Sequence, residues 1–220
     1  MRFDIHARVR AFGLVFAGAA LVAPSSARAD EVFFAGSTAG AFNGGAPGAS
    51  STLLTLTYHN SSFQGTTSNG FLGIGAAPTA TNFNNLGSFT LGPDGGSFIG
   101  NTFQLQVTFT APSGITGGNP TMFTALVLGN VGTDNNGGVF IDFDNTTHTF
   151  TFISDDGMTS GFFALQVNDL SVNSGKTVAV TGQILSATQR TVVPEPASMT
   201  LLATGLAGMA ATARRRKSGR

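Results

Sequence analysis

The chain of 220 residues contains no cysteine and no tryptophan, has a single tyrosine, and only 10% of its residues are charged. Without cysteine there is no disulfide framework, no thiol nucleophile and no thiolate-ligated zinc or iron–sulfur site. Without tryptophan, and with Tyr58 alone, the large amphipathic rings on which sugar-binding faces usually rely are missing. Basic residues are also scarce in the middle. Between Asp30 and Val193 there are only Lys176 and Arg190, against nine acids: Asp30, Glu31, Asp94, Asp134, Asp142, Asp144, Asp155, Asp156 and Asp169. Such a segment cannot neutralise a run of phosphates, so nucleic acid is excluded as a partner. A solvated disordered chain is excluded as well, because 41% of the residues are hydrophobic.

The remaining cations sit at the two ends. Arg2, Arg8 and Arg10 precede an apolar run from Ala11 to Ala23, followed by Pro24-Ser25-Ser26 and then Ala27-Arg28-Ala29. This is the three-part form of a secretory signal peptide over residues 1–29, with small residues placed for cleavage after Ala29. Thirteen apolar residues make about 20 Å of helix, short of the roughly 30 Å hydrocarbon core that a permanent anchor has to span. The expected route is therefore through the secretory translocon and signal peptidase.

At the other end, residues 197–213 carry no charge and run directly into Arg214, Arg215, Arg216 and Lys217. Seventeen residues are at the lower limit of a membrane-spanning helix, and the positive cluster would hold the C-terminus on the cytoplasmic side. Met199, Leu202, Leu206 and Met209 share one side of a helical wheel, which also suits a helix packed on a domain. The opposite side, however, offers Thr200, Thr204, Ala207, Gly208 and Ala211 rather than charges. A transient inner-membrane span is the expectation.

Just ahead of this segment stand Val193-Pro194-Glu195-Pro196-Ala197-Ser198. The tripeptide, the short apolar helix and the terminal arginines, in that order, resemble the PEP-CTERM sorting signal of Gram-negative bacteria. The resemblance covers residues 193–220. It implies an exosortase, a membrane transpeptidase-like protease, as processing partner, with Pro194, Glu195 and Pro196 as the recognition element and Arg214, Arg215 and Arg216 as the stop-transfer tail. It also implies delivery to the cell surface or extracellular matrix, where an exopolysaccharide is the expected neighbour. Two prolines around Glu195 bar it from a helix and hold it extended, the shape a protease cleft accepts.

Residues 30–192 read as an all-β domain, an antiparallel β-sandwich or jelly roll. Phe103, Leu105, Val107 and Phe109 alternate with polar residues, Val139, Ile141 and Phe143 alternate with Phe140, Asp142 and Asp144, and Phe150 and Phe152 alternate with threonines. Further expected strands cover 52–58, 122–131, 162–167 and 177–185. Asn145-Thr146 is short enough for a hairpin turn between the strands on either side. Turn clusters fall at 93–96, 112–114, 117–120, 134–138, 155–157 and 173–175, and no amphipathic helix is expected between 30 and 190. Residues 35–50 and 64–88, rich in Gly, Ala, Thr and Asn, read as loops or irregular edges.

Chemistry is sparse. His59 and His148 are the histidines of the middle region, no serine lies in a G-x-S-x-G setting, and His148 shares a face with Phe150 and Phe152, so a packed histidine is expected rather than a general base. No enzyme is expected, and no cofactor beyond Ca²⁺. For Ca²⁺, Asp134, Asp142, Asp144, Asp155 and Asp156 offer hard oxygens, although their spacing matches no calcium loop and solvated turns account for the same residues. Most of the twenty phenylalanines read as core, Phe140 being the doubtful one because it shares its face with Asp142 and Asp144. Two functions remain: a non-catalytic structural or adhesive surface protein, or a surface module that binds Ca²⁺ or a glycan.

Overall fold

The computed structural model describes residues 27–79, 82–191 and 202–209, the first three by backbone path alone. The strands begin with β1 (Ala27–Ala29), β2 (Phe33–Phe42), β3 (Ser50–Leu53), β4 (Leu56–His59), β5 (Ser62–Thr66), β6 (Leu72–Ile74), β7 (Ser88–Leu91) and β8 (Gly96–Ser97). They continue with β9 (Asn101–Ala111), β10 (Ile115–Thr116), β11 (Thr121–Val131), β12 (Gly137–Phe143) and β13 (His148–Ile153). The last four are β14 (Thr159–Val167), β15 (Leu170–Asn173), β16 (Thr177–Ala179) and β17 (Gly182–Thr191).

All pairings of these strands are antiparallel, and among the described residues from 30 to 191 there is no helix, in keeping with the expected all-β class. The first sheet runs β1-β17-β14-β13-β10, with β6 also on β17. The second runs β15-β12-β11-β9-β2-β5, with β8 on β11, and the third runs β16-β7-β4-β3. Register shifts at Ala35/Gly36 and at Phe162/Ala164 bend the long strands, as bulges do, and the sheet curls into a half-barrel.

The core lies on the inner face of the second sheet, and β9 shows how it is shared. At one end of β9, Phe109 meets Phe150 and Phe163 of the first sheet at 5.5 and 5.0 Å between ring centres. At the other end, Phe103 meets Tyr58 and Phe89 of the third sheet at 5.0 and 4.8 Å. Edge-on and tilted aromatic pairs of this kind add about 0.5–1.5 kcal/mol each beyond the area they bury. Most of the described phenylalanines are buried as expected, and Phe140 faces outward with the half-buried Asp142 and the exposed Asp144.

The structure corrects four details of the sequence reading. Residues 35–42 belong to β2, a central strand between β5 and β9, rather than a loop. Its inward residues are Phe34, Gly36, Thr38, Gly40 and Phe42, all buried. A Cβ on Gly40 would lie 2.5 Å from Phe103 and 2.7 Å from Tyr58, so the strand is small where its neighbours are large. The run 52–58 folds back on itself at Leu54, which has φ 53°, and becomes β3 and β4. The run 177–185 breaks into β16 and β17, which belong to different sheets. Asn145-Thr146 makes no hairpin: β12 pairs with β11 and β15 and β13 pairs with β14 and β10, so the short connection carries the chain from one sheet to the other.

The helix expected over residues 197–213 is described at residues 202–209, all eight of them exposed. Among the described residues no helix is long and apolar enough to cross a membrane. The rest of that expected span, Pro194, Glu195 and Pro196, the arginines Arg214, Arg215 and Arg216, and residues 1–26 of the expected signal peptide lie outside the described residues.

Candidate functional site

The two ends of the domain meet on one sheet edge. Ala27, Arg28 and Ala29, the last three residues of the expected signal peptide, pair with Thr191, Arg190 and Gln189. Immediately after them the chain is fastened. The carbonyl of Asp30 accepts from Thr67 Oγ1 at 2.7 Å and from the Gly70 amide at 2.9 Å, and Val32 N donates to Thr67 Oγ1 at 2.8 Å. Thr67 is buried, so the first residues after the expected cut are part of the fold rather than a loose tail. The last strand, β17, ends only a few residues before Pro194.

The acids proposed for calcium are scattered along the chain's turns. Asp134 lies in the turn before β12 and Asp144 just after it, at opposite ends of a seven-residue strand about 20 Å long. Asp134 accepts from the side chain of Asn136 at 2.7 Å and from its backbone N–H, and these bonds hold its carboxyl below the usual carboxylate range. Asp156, in the β13–β14 turn, is likewise lowered by accepting from the Ser154 hydroxyl and from Met158 N. Asp144 Oδ1 accepts from Thr146 N at 3.0 Å. Asp142 lies on the outer face of β12 and Asp155 is exposed in the same turn as Asp156. Asp134, Asp144 and Asp156 are thus carboxylates closing their own turns. Among the described residues no group of three or more His, Asp or Glu is placed to hold a metal ion.

The histidines are separate. His148 Nδ1 lies 3.2 Å from Thr121 Oγ1 and the ring packs on Phe123 with centres 4.4 Å apart. His59 is exposed at the end of β4 and lines a surface groove of about 560 Å³. Serine, threonine and asparagine complete the groove: Ser37, Ser61, Asn82, Ser88, Thr90 and Thr177 are among its walls, and among the described residues no Asp, Glu, Lys or Arg lines it. A second groove of about 570 Å³, walled by Phe63, Phe71, Leu72 and a run of glycines and amides, lies between β5, β6 and β17. The sequence reading weighed His59 only as a base and passed over the groove residues. They come together from strands far apart in the chain, and the one local signal was threonine at alternate positions.

Residues 30–191 are thus an acidic, all-β stretch, with nine acids against two cations, that leads in the chain into the C-terminal segment expected to carry the targeting signal. The family model of the PEP-CTERM protein-sorting motif matches residues 192–217. The motif begins one residue beyond β17, and it indicates export with exosortase as the processing partner and sorting to the cell surface. No curated protein and no solved structure matches the chain.

Proposed function

We propose that this protein is a non-catalytic structural or adhesive component of the cell surface or of the surrounding polysaccharide matrix. The observation that carries the reading is the sorting motif at residues 192–217, placed directly behind the closing strand of an all-β domain. In this reading residues 1–29 are removed by signal peptidase, residues 197–213 hold the intermediate in the inner membrane, and Arg214, Arg215 and Arg216 fix its orientation. Pro194, Glu195 and Pro196 present an extended stretch to the exosortase. A structural rather than catalytic role is supported by His148, which is packed and hydrogen-bonded, and by the turn-closing duty of Asp134, Asp144 and Asp156.

Intact mass spectrometry of protein recovered from the host's membrane and extracellular fractions tests the delivery. The expected extracellular species begins at Asp30 and ends near Pro194–Pro196. Recovery only of a membrane-bound species that still carries Arg220 overturns the sorting route. The role itself is tested by deleting the gene: cell cohesion falls, and is restored by the full chain but not by a version lacking residues 193–220.

A further inference from the structure

We propose that the outer face of the third sheet, with the groove beside it, is a binding site for a neutral polysaccharide; this rests on the surface role above and names its ligand. Thr52 on β3 lies opposite Thr57 on β4, Thr57 opposite Thr90 on β7, and Thr90 opposite Thr177 on β16. Four threonines therefore stand in one row across four strands, spaced by the inter-strand distance of about 4.8 Å. Their hydroxyls pair as Thr52···Thr57 at 3.1 Å and Thr90···Thr177 at 2.9 Å. Leu56, Tyr58, Phe89 and Leu91 of the same strands point the other way and are buried, which fixes the threonine row on the outside.

The next row holds Ser50, His59 and Ser88, and here the face deepens into the 560 Å³ groove. That volume falls within the range of sites that enclose a small ligand or a short stretch of a longer one. Its walls supply hydroxyls, amides and an imidazole, all able to donate or accept, with no Asp, Glu, Lys or Arg among the described residues that line it. In a domain with nine acids and two cations, this surface has been left neutral. A neutral polyol matches it, whereas an anionic polymer finds no cation in the groove.

One acceptor is left over. Asn82 Nδ2 donates to Ser88 Oγ at 2.7 Å and to the Asn60 carbonyl at 3.2 Å, and since a carbonyl only accepts, the amide's orientation is fixed. Its Oδ1 is buried and has no hydrogen-bond partner among the described residues. A sugar hydroxyl donating to a slightly rotated Asn82 supplies the missing bond.

Without an indole to stack on, each contact is a hydrogen bond traded against water, and affinity comes from many sugar units engaged together. The polymer therefore binds and its short oligosaccharides bind far more weakly.

The test is electrophoresis of the protein recovered from the extracellular fraction through native gels containing a neutral glucan, galactan or mannan, with polygalacturonate as the anionic comparison. Retardation by at least one neutral polymer and none by polygalacturonate is expected. The double variant Thr90→Val/Thr177→Val, which keeps side-chain shape, and Asn82→Ala should each weaken binding at least tenfold. Leu126→Thr, on the exposed face of the second sheet, should bind as the parent does, and thermal melts certify that each variant is folded. Folded variants that bind as the parent does overturn the site, as does retardation by polygalacturonate alone. A parent protein that reaches the surface but is retarded by no neutral polymer also overturns the site and leaves the surface role standing. A protein never found outside the cell overturns the surface role itself.

Discussion

The hydroxyl of Tyr58 donates to Thr38 Oγ1 at 2.9 Å, joining the third sheet to the middle of β2 inside the core. Thr38 in turn accepts from Ser61 N at 3.0 Å, and the Tyr58 hydroxyl also lies 3.1 Å from the Leu86 carbonyl. All of these residues are buried, so the one phenolic proton that Thr38 Oγ1 and the Leu86 carbonyl share has no water to replace it. Tyr58→Phe leaves them without it and should cost about 1–3 kcal/mol in chemical denaturation.

The same burial pushes the Tyr58 pKa far above its ordinary value of 10.0, because the phenolate would have to form without water, and the bond to Thr38 offsets this only in part. A group raised on folding gives stability that is complete below its unfolded pKa and is lost as pH climbs through the folded one. The parent protein should therefore lose stability relative to Tyr58→Phe above about pH 10. Tyr58 is the sole tyrosine, so phenolate absorbance reads this residue alone. The expected result is no phenolate signal while the chain is folded at a pH just above 10, and its abrupt appearance on unfolding.

Gly40 tests why β2 is built from small residues. An added methyl would sit 2.5 Å from the Phe103 ring and 2.7 Å from Tyr58, both fully buried and unable to swing aside. Gly40→Ala should destabilise by about 1–3 kcal/mol, the usual cost of overpacking. At Gly48 the nearest atom to an added methyl is the Ser50 carbonyl at 3.6 Å, so Gly48→Ala should change stability by less than about 0.5 kcal/mol. Equal effects at the two positions, measured by denaturant midpoint, would remove the packing explanation.

β2 also shows where the sequence is hard to read. In β9, Phe103, Leu105, Val107 and Phe109 announce themselves because each inward position is large and apolar. The inward set of β2, Phe34-Gly36-Thr38-Gly40-Phe42, has the same period, but its three middle members are small because rings such as Phe63, Phe103 and Tyr58 already fill the space there. That is a property of the partner strands and not of the segment itself. Asn145-Thr146 misleads for a related reason: a short turn fixes the length of a connection, while the choice of sheet is made by where Phe143 and Phe150 find room in the core. The threonine row is invisible in the chain because it depends on the register of four strands reaching from Thr52 to Thr177. The sorting motif, by contrast, is legible in full, since its signal lies in consecutive residues, 192–217.

The acids offer a prediction in pH and in metal. Asp156 has its carboxyl lowered by the Ser154 hydroxyl and then by Met158 N, and a group depressed on folding gives stability that is present above its unfolded pKa and lost as pH falls through the folded one. Amide exchange of Met158 and Thr159 should accelerate below about pH 4. In Asp156→Asn that acid-triggered acceleration should vanish. Because Asp134 and Asp144 sit at opposite ends of β12, millimolar Ca²⁺ should leave the melting temperature unchanged. A calcium-dependent rise that is lost in Asp134→Asn or Asp156→Asn would restore the metal reading.

The pairing of Ala29 with Gln189 places the proposed signal-peptidase cut beside the end of β17, just ahead of the sorting motif in the chain. On the proposed route a signal-peptidase cut after Ala29 removes all of β1, and among the described residues the edge of Gln189, Arg190 and Thr191 then keeps only β14 as a strand partner. The new N-terminus should stay in place, because Asp30 and Val32 are tied to Thr67 and Gly70. The backbone of residues 189–191 loses one side of its hydrogen bonding while the core strands do not. Hydrogen exchange should accordingly be faster at these residues in the processed protein than in a precursor whose cut is blocked by Ala29→Leu, with Phe103 to Phe109 unchanged. An open strand edge at Gln189, Arg190 and Thr191 is a form that a protease cleft reads by adding backbone bonds of its own. The blocked precursor should therefore be processed more slowly at its C-terminus, as followed by the mass of the released species. Equal C-terminal processing of the blocked and parent chains would show that β1 has no part in presenting the motif.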